Sequence, residues 1–270
     1  MIAFPNAKIN LGLYITEKRQ DGYHNIETIF YPIPWSDILE IIPSENTTFN
    51  SSGINIPGDT SSNLCIKAYQ LLKDKYKLPP VHIYLHKIVP IGAGLGGGSS
   101  DASFTLSSLN KLFDLNLNNS ELEEYASKLG SDCAFFIENK ATYAYGKGDQ
   151  FKALTNFSLK GYYILLIYPP IAISTQEAYN GITPKKSDSN IIDVLNSPIQ
   201  SWKENLNNDF EVSLFPKYPV LKKIKEDLYQ SGAIYASMSG SGSTMFGIYN
   251  YDPDEVLPQF SPYQCFSSEL

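Results

Sequence analysis

Residues 90–101 read Pro-Ile-Gly-Ala-Gly-Leu-Gly-Gly-Gly-Ser-Ser-Asp, with a predicted strand before them and a predicted helix after them. Glycines let the backbone approach a ligand closely and adopt positive φ, so that successive N–H groups can converge on an anion. The helix that follows adds the unpaired N–H groups and the positive dipole end of its first turn. Because a merely flexible turn rarely needs five glycines in seven residues, the stretch predicts a phosphate-binding loop.

Two other phosphate-binding loops resemble this stretch but fit the rest of the chain poorly. A P-loop requires a lysine directly before its Ser or Thr, and Gly98 stands at that place. A dinucleotide-binding fingerprint matches at Gly92, Gly94 and Gly97, but it also requires a second parallel strand with an acidic residue about 20 residues on. Asp114 is near that distance, yet the chain there passes from one predicted helix to another. A dehydrogenase is therefore disfavoured.

The composition limits the class of protein. The chain has 270 residues, of which 43% are hydrophobic and 18% charged, enough for one large domain or two joined ones. The net charge is −7 and Arg19 is the single arginine, so we expect no nucleic-acid partner. Cys65, Cys133 and Cys265 show neither metal spacing nor a disulfide pattern, as in a reducing compartment. Without a signal peptide or a run of ~18 apolar residues, we expect a cytoplasmic protein with no membrane partner.

Strands and helices are mixed along the chain without a strict βαβ rhythm. Residues 7–15 alternate in polarity and predict a strand with apolar residues on one face and Lys8 and Asn10 on the other. Other strands are predicted over 23–31, 37–42, 81–85 and 162–168, and a strand, glycine turn and strand over 235–249. The mixture favours an α+β fold over a doubly wound sheet.

Several helices are predicted from their starts and stops. Asn63 is expected to cap a helix whose buried face holds Leu64, Ala68, Leu71 and Leu72. A capping box of Ser120 and Glu123 predicts a helix that ends near Gly130. Residues 220–230 are amphipathic. Residues 44–62, rich in Ser, Asn, Thr and Gly, predict a loop or an edge hairpin.

The glycine stretch resembles the phosphate loop of the GHMP kinase superfamily, which has the form Pro-x-x-x-Gly-Leu-Gly-x-x-Ser-Ser. Residues 5–13, Pro-Asn-Ala-Lys-Ile-Asn-Leu-Gly-Leu, are similar to its first motif. Residues 129–136, Leu-Gly-Ser-Asp-Cys-Ala-Phe-Phe, and 238–244, Met-Ser-Gly-Ser-Gly-Ser-Thr, are similar to later ones. Asp-Gly-Tyr-His at 21–24 and Glu-Thr-Ile-Phe at 27–30 resemble one branch of the superfamily, whose acceptor carries a cytidine diphosphate group. The motifs span nearly the whole chain in the expected order.

The resemblance implies a fold, an activity and a cofactor. It implies a two-domain GHMP kinase fold of mixed sheets and helices, with an ATP-binding domain at 1–152, a C-terminal domain at 153–270 and the active site in the cleft between them. The implied reaction transfers the γ-phosphoryl group of ATP to the 2-hydroxyl of the acceptor, in the non-mevalonate (MEP) isoprenoid pathway. Mg²⁺ would arrive with ATP, with no tightly held metal and with Ser100 as a candidate ligand. The chain would be a monomer or a homodimer.

The resemblance also assigns two catalytic residues. Asp132 is implied as the base for the acceptor hydroxyl, and Lys8 as the ammonium that keeps Asp132 ionised. Without the resemblance, Asp132 would be interpreted as an ordinary helix N-cap and Lys8 as a solvated surface lysine. Whether Asp132 is the base or an electrostatic anchor is left open by the sequence.

The remaining implied residues contact ATP or the acceptor. ATP is expected to contact Asn63, Lys87, Pro90, Ile91, Gly92, Ala93, Gly94, Leu95, Gly96, Gly97, Gly98, Ser99 and Ser100. The acceptor is expected to contact Asn10, Tyr23, His24, Phe30, Lys147, Tyr179 and Gly240. The aromatic members of this set suit stacking on a pyrimidine. Plain surface positions are an equally good interpretation of Asn63, Lys87 and Lys147.

Two alternative functions stay open. Another GHMP kinase, acting on homoserine or a mevalonate-like acceptor, would share the loop, but its pocket at Tyr23 and His24 would not bind cytidine. A nucleotide-binding homologue without catalysis would share the fold alone. The presence of both Lys8 and Asp132 disfavours that second alternative.

Overall fold

The computed structural model describes residues 1–186 and 190–270. The strands are β1 (Ile2–Ala3), β2 (Asn6–Lys18), β3 (His24–Ser36), β4 (Ile38–Pro43), β5 (Thr48–Gly53), β6 (Val81–Lys87), β7 (Thr142–Gly146), β8 (Gln150–Ala153), β9 (Tyr163–Tyr168), β10 (Tyr235–Met238), β11 (Met245–Tyr249) and β12 (Gln264–Glu269). The α-helices are α1 (Leu64–Tyr76), α2 (Gly97–Leu112), α3 (Asn119–Ser127), α4 (Phe135–Glu138), α5 (Thr175–Asn180), α6 (Ile191–Leu195), α7 (Trp202–Asn205), α8 (Phe210–Leu214) and α9 (Pro219–Gln230). Short 3₁₀ helices cover Thr60–Ser62, Ile199–Ser201 and Asp254–Phe260. The predicted α+β class is confirmed.

Contacts within the chain divide it into two units that are discontinuous in sequence. The first unit comprises Met1–Lys8, Trp35–Ile91 and Gly96–Lys140. The second unit comprises Ile9–Pro34, Gly92–Leu95 and Ala141–Leu270. The predicted boundary between residues 152 and 153 stays a prediction, because units defined by contacts and the domains of a family need not coincide.

A four-stranded sheet of order β1-β4-β6-β5 forms the first unit together with helices α1 to α4. In the antiparallel pair of β4 and β6, Leu39 lies opposite Leu85 and Ile41 opposite Ile83, and all four side chains are buried. Helix α2 packs against α1 and against β4, so the buried face of this sheet supports the helix that follows the glycine stretch.

Residues 44–62, which were expected to form a loop or an edge hairpin, instead contain β5, a strand at the edge of the sheet. It pairs in parallel with β6, from Thr48 opposite His82 to Gly53 opposite Lys87. Its residues are mostly exposed and have modest strand propensity. The strand forms because the open edge of β6 offers backbone hydrogen bonds to any extended segment that reaches it.

The second unit contains two four-stranded sheets, of order β2-β3-β7-β8 and β10-β11-β9-β12. An apolar cluster of buried side chains in this unit joins α9, through Leu221, Ile224 and Leu228, to strand residues such as Leu165 and Met245. The strands predicted over 162–168 and 235–249 and the helix predicted over 220–230 are thereby confirmed as β9, β10 with β11, and α9.

The strand predicted over residues 7–15 is confirmed as β2, and the interpretation of Lys8 as a solvated surface lysine is wrong. Lys8 and Asn10 are as buried as the apolar residues of the opposite face. The alternating pattern therefore predicts the strand correctly but does not predict burial of its polar residues, because polar side chains can be buried wherever they find partners.

The starts of α1 and α3 show one helix-cap prediction that is confirmed and one that is wrong. Asn63 caps α1 as predicted, with its side chain accepting a hydrogen bond of 2.9 Å from the Cys65 backbone N–H. The buried face of α1 differs from the predicted one and holds Cys65, Ala68, Tyr69 and Leu72. For α3 the predicted capping box of Ser120 and Glu123 is wrong. The box is formed by Asn118 and Glu121, a pair with the same spacing placed two residues earlier, and sequence spacing alone does not separate the two.

No helix in the described part of the chain is both long and apolar enough to cross a lipid bilayer.

Candidate active site

Helix α2 begins with a backbone arrangement that suits an anion. Gly96 is its N-cap, with φ 69°, and the Ser100 N–H makes an intrahelical hydrogen bond of 2.9 Å to the Gly96 carbonyl. The N–H groups of residues 97–99 precede that bond and point out of the helix start. Because α2 is 16 residues long, its dipole adds positive potential at the same place. This end of the helix can therefore bind phosphate.

Glycine at the start of α2 is also required by packing. A Cβ added to Gly96 would lie 3.0 Å from the Phe136 ring and 3.2 Å from the Lys8 stem. A Cβ added to Gly97 would lie 3.0 Å from the Lys87 amine. The start of α2 thus rests directly on two lysine side chains, so a larger residue at these positions would require a neighbouring side chain to shift.

Residues 92–95 of the predicted loop belong to the second unit, where the C-terminal glycine motif supports them. Gly94 has φ 79°, and a Cβ there would collide with the Ser239 carbonyl oxygen. The Ser239 hydroxyl donates a hydrogen bond of 2.8 Å to the Gly94 carbonyl, and the Thr244 N–H donates one of 3.2 Å to the Ala93 carbonyl. Ala93 is not among the residues with positive φ, so its methyl group is accommodated in a loop otherwise built of glycines.

Ser100 is fully buried in the first turn of α2. Its hydroxyl finds no hydrogen-bond partner among the described residues. An orphaned buried hydroxyl at the start of an anion-binding helix fits a ligand oxygen or a cation that arrives with the ligand. Within the described residues, no group of three or more His, Cys, Asp or Glu side chains could hold a metal ion by itself.

Lys8 and Asp132 form an ion pair in the first unit, with 3.6 Å between Nζ and Oδ2. The Lys8 side chain is buried, whereas that of Asp132 keeps 31% of its surface accessible. Burial lowers the pKa of the Lys8 ammonium, and attraction to Asp132 opposes that shift. A lysine that is less tightly protonated than usual, beside an accessible carboxylate, can take part in moving a proton from a bound hydroxyl.

Asp132 lies in the turn between α3 and α4 and does not cap a helix, since the N-cap of α4 is Ala134. The Ser103 hydroxyl of α2 donates hydrogen bonds to the Cys133 carbonyl, at 2.6 Å, and to the Ser99 carbonyl, at 3.0 Å. The turn that carries Asp132 is thereby attached to the helix that begins at the glycine stretch. Burial raises the pKa of the adjacent Cys133 thiol to about 11, so this thiol acts as a small apolar side chain.

Lys87 is buried, which contradicts the interpretation of it as a plain surface residue. Its amine pairs with the carboxylates of Asp37 and Asp101, at 2.5 and 2.7 Å. Asn63 serves as the N-cap of α1. Contact of either residue with ATP stays a prediction.

The aromatic residues predicted to bind the acceptor form two pairs in the second unit. The rings of His24 and Tyr179 stack at 4.6 Å with an interplanar angle of 17°. The Lys147 amine lies 5.0 Å from the centre of the Tyr23 ring, and Tyr23 is 62% exposed. Burial, followed by repulsion from Lys18, lowers the pKa of His24 and favours its neutral ring. Flat, accessible rings of this kind can stack on a nucleobase.

Phe30 is set apart from these pairs. It is buried, and its ring contacts Phe151 with 6.2 Å between centroids. The structure therefore places Phe30 in the packed interior of the second unit, and a contact with the acceptor stays a prediction.

Asn10 and Gly240 are brought together. The Asn10 amide donates a hydrogen bond of 3.0 Å to the Thr28 hydroxyl, and its backbone N–H donates to the Ser239 hydroxyl at 3.3 Å. A Cβ added to Gly240 would lie 3.3 Å from the Asn10 side-chain oxygen. The close approach explains why residue 240 is glycine, with φ 55°.

Four buried polar residues, two in each unit, were not predicted as functional from the sequence. Asp37 and Asp101 surround Lys87, and Asn208 and Glu211 hold the backbone of residues 238–240. A weak signal existed for Asp101, which ends the glycine-rich stretch. The other three lie far in sequence from the groups they contact, so no local pattern marks them.

Comparisons with known proteins agree with this geometry. The model for the GHMP kinases N terminal domain matches residues 63–140, and the model for the GHMP kinases C terminal matches residues 191–261. A Cytophaga hutchinsonii protein named 4-diphosphocytidyl-2-C-methyl-D-erythritol kinase is 58% identical over 270 residues, covering 100% of both chains. A Bacteroides fragilis protein of the same name is 50% identical over 274 residues, again covering 100% of both. The chain belongs to the 4-diphosphocytidyl-2-C-methyl-D-erythritol kinase family of GHMP kinases.

A solved structure supports the same assignment at the level of the fold. The crystal structure titled 4-(cytidine 5'-diphospho)-2C-methyl-D-erythritol kinase matches with a TM-score of 0.84 and 28% identity, covering 99% of this chain and 98% of that one. The predicted GHMP kinase fold is confirmed. As a member of the GHMP kinases, the chain is a transferase that moves a phosphoryl group to an alcohol.

Proposed function

We propose that the chain transfers the γ-phosphoryl group of ATP to the 2-hydroxyl of 4-diphosphocytidyl-2-C-methyl-D-erythritol, a step in the supply of isoprenoid precursors. The observation that carries the proposal is the Lys8–Asp132 pair, placed beside an anion-binding helix start. Full-length relatives that bear the corresponding name support the choice of acceptor.

Asp132 is proposed to receive the proton of the attacking hydroxyl. Its carboxylate is the accessible member of the pair, so a hydroxyl can approach it. Lys8 holds Asp132 ionised and places positive charge near the oxygen that becomes the nucleophile. The Ser103 hydroxyl fixes the turn of Asp132, which reduces the motion that would otherwise separate base and hydroxyl.

The start of α2 is proposed to bind the phosphates of ATP. Backbone N–H groups of residues 97–99 would donate to phosphate oxygens, and the helix dipole would favour their negative charge. Mg²⁺ bound with ATP would supply neutralising charge on the phosphates, with the Ser100 hydroxyl as its ligand from the protein. The chain provides a single arginine, so backbone, lysine and metal must together stabilise the transferred group.

The aromatic pairs are proposed to hold the cytidine part of the acceptor. Stacking on His24, Tyr179 or Tyr23 would bind the base through its flat face, and Lys147 would attract the diphosphate. Homoserine and mevalonate lack a base and leave these rings without a role, so they are less well supported as acceptors. A homologue without catalysis is disfavoured because the Lys8–Asp132 pair is intact.

The experiment is an ADP-release assay with purified chain, Mg-ATP and one acceptor at a time. We expect release with 4-diphosphocytidyl-2-C-methyl-D-erythritol and a product phosphorylated at the 2-hydroxyl, and near-background release with homoserine or mevalonate. Equal rates with homoserine would refute the acceptor. Binding of Mg-ATP without release for any of the three would favour the non-catalytic homologue.

We further propose a cytoplasmic protein that is a monomer or a homodimer. Three unpaired cysteines, two of them buried, support a reducing compartment. Size-exclusion chromatography with light scattering would report the number of copies, and a tetramer or larger assembly would contradict the proposal.

A further inference from the structure

A buried charged bridge lies at the base of the phosphate loop in the first unit. The Asp37 carboxylate, between β3 and β4, accepts two backbone hydrogen bonds through Oδ1. They come from the N–H groups of Ile88, at 2.5 Å, and Val89, at 2.9 Å, the two residues that precede the loop at Pro90. Asp37 therefore fixes the position at which the chain leaves β6.

Lys87 continues this bridge to the other end of the loop. Its amine donates to Asp37 Oδ2, at 2.5 Å, and to Asp101 Oδ2, at 2.7 Å. Asp101 follows Ser100 in the first turns of α2. Residues 88–89 before the loop and residue 101 after it are thus connected through two carboxylates and one ammonium.

The bridge is out of reach of solvent. The exposed fractions of Asp37, Lys87 and Asp101 are 0%, 3% and 3%. The Lys87 amine lies directly beneath Gly97, where a Cβ would be 3.0 Å away. An amine that is bonded to two carboxylates and covered by the first turn of α2 is badly placed to contact a nucleobase.

Two buried carboxylates for one ammonium are an unfavourable way to gain stability, because desolvation opposes the attraction. Burial raises the pKa of Asp101 to about 7, against the attraction of Lys87. The second carboxylate oxygen of Asp101 has no hydrogen-bond partner among the described residues. Such an arrangement is better explained by a role in positioning the ends of the phosphate loop than by a contribution to the free energy of unfolding.

We propose that Asp37, Lys87 and Asp101 are positioning residues that hold the two ends of the phosphate loop together, so that the first-turn N–H groups of α2 keep the geometry that binds ATP. This role rests on the proposed function, because the ligand of the loop is taken to be ATP. It replaces the expectation that the Lys87 side chain contacts the nucleotide.

The first test uses Asp101→Ala and Asp101→Asn in the full chain, with steady-state kinetics for both substrates. Alanine removes the bond to Lys87, so KM for ATP should rise about tenfold while KM for the acceptor stays within about twofold. Asparagine keeps an acceptor oxygen, so it should restore KM for ATP to within about threefold of wild type. Asp227→Ala, which breaks the exposed pair with Lys223, is the matched control and should change neither KM. A wild-type KM for ATP in Asp101→Ala would overturn the proposal.

The second test separates positioning from direct contact. In a bridge, Lys87→Met leaves two uncompensated carboxylates, and adding Asp101→Ala removes one of them. The double variant should therefore have a KM for ATP no higher than that of Lys87→Met. If Lys87 contacted the nucleotide itself, the increases in KM for ATP of the two single variants would multiply in the double variant, and this result would overturn the proposal. Should Lys87→Met fail to fold by circular dichroism, the Asp101 pair of variants decides alone.

Equilibrium titration with a non-hydrolysable ATP analogue and Mg²⁺ keeps the two proposals apart. If wild type binds the analogue but phosphorylates none of the acceptors, the proposed function fails and the bridge is still judged by the dissociation constants of the same variants. If Asp101→Ala phosphorylates the acceptor and binds the analogue as wild type does, the bridge fails and the proposed function stands.

Discussion

Lys8 shows how far the chemistry of one residue depends on its burial. Its residue type and its neighbours in sequence identified it as a candidate, and the alternating pattern placed it with Asn10 opposite the apolar face, without indicating whether that side is buried. In the structure it is buried and forms an ion pair with Asp132. Burial lowers its pKa, which no pattern in a single sequence can report, because desolvation depends on elements that are remote along the chain.

Replacing Asp132 tests the proposed base. Asp132→Asn keeps the shape of the side chain and removes its capacity to accept a proton, so kcat should fall by a factor on the order of 10²–10⁴. KM for ATP should change little, because Asp132 is assigned to the acceptor hydroxyl. Steady-state kinetics give both values, and Asp193→Asn on α6, an exposed position, is the control. Turnover at the wild-type rate in Asp132→Asn would show that another group accepts the proton.

The pH dependence of stability should report the burial of Asp101. Its pKa is raised from 3.8 to about 7 in the folded chain, so the folded state binds a proton that the unfolded state has already lost. The free energy of unfolding should therefore decline as pH rises from about 4 to about 7, and level off above that. In Asp101→Asn this contribution is absent, so the variant should gain stability relative to wild type between pH 5 and pH 8. Urea unfolding at pH 5 and pH 8 measures the free energies of unfolding of both proteins. If the difference between variant and wild type were the same at both pH values, Asp101 would ionise normally.

At the scale of elements, α8 and Asn208, which lies just before it, support the C-terminal glycine motif. The Asn208 amide donates hydrogen bonds of 2.8 Å to the carbonyls of Met238 and Gly240. The Glu211 carboxylate accepts from the Met238 N–H at 2.8 Å and from the Lys225 amine at 2.5 Å. Ser239, held between these bonds, is the residue that donates to the Gly94 carbonyl. The short helix α8 and Asn208 before it therefore hold the backbone around Ser239, which in turn contacts the loop residues 92–95 through Gly94.

Replacing Asn208 tests this support. Asn208→Asp puts a carboxylate against two buried carbonyl oxygens that lose their donors, so the free energy of unfolding should fall by about 3 kcal/mol. Urea unfolding followed by fluorescence gives the change. Asn207→Asp, at the exposed neighbouring position, should stay within about 0.5 kcal/mol of wild type. Equal effects at 207 and 208 would indicate a general effect of charge in this segment instead of the loss of two bonds.

Most elements could be predicted from local patterns because their signals are local. The periodicity of 220–230 and the cap at Asn63 depend on residues within one or two turns, and both predictions are confirmed. Strand β5 could not be predicted because its partner β6 is what makes it a strand. The hydrogen bonds that hold residues 238–240 could not be predicted for the same reason, since Asn208 lies about thirty residues away in sequence.

At the scale of the whole molecule, ligand binding should couple to stability. A ligand that binds only the folded chain adds RT ln(1 + [L]/Kd), or about 2.7 kcal/mol at a hundred times Kd. Mg-ATP should therefore raise the midpoint of thermal unfolding, whereas Mg²⁺ alone should have little effect, because no cluster of metal ligands is found in the described residues. Differential scanning fluorimetry measures both. A shift with Mg²⁺ alone that equals the shift with Mg-ATP would point to a metal site in the protein.

The division of the chain into contact units depends on contacts between segments that are distant in sequence. Each contact unit is assembled from three separate segments, whereas the domain boundary between residues 152 and 153 stays a prediction. The family and its motifs could be predicted because the glycine stretch and the segments around Lys8, Tyr23 and Asp132 retain recognisable residues in a fixed order. Which polar residues are buried beneath those motifs depends on contacts that only the folded chain reveals.

The bridge of Asp37, Lys87 and Asp101 has an evolutionary consequence. A single substitution at position 87 would leave two acids buried without a counter-charge, a change that is strongly destabilising. A lineage could therefore lose the lysine only after, or together with, one of the acids. The residues at the three positions should therefore change together among relatives, even though position 101 lies 64 positions after position 37.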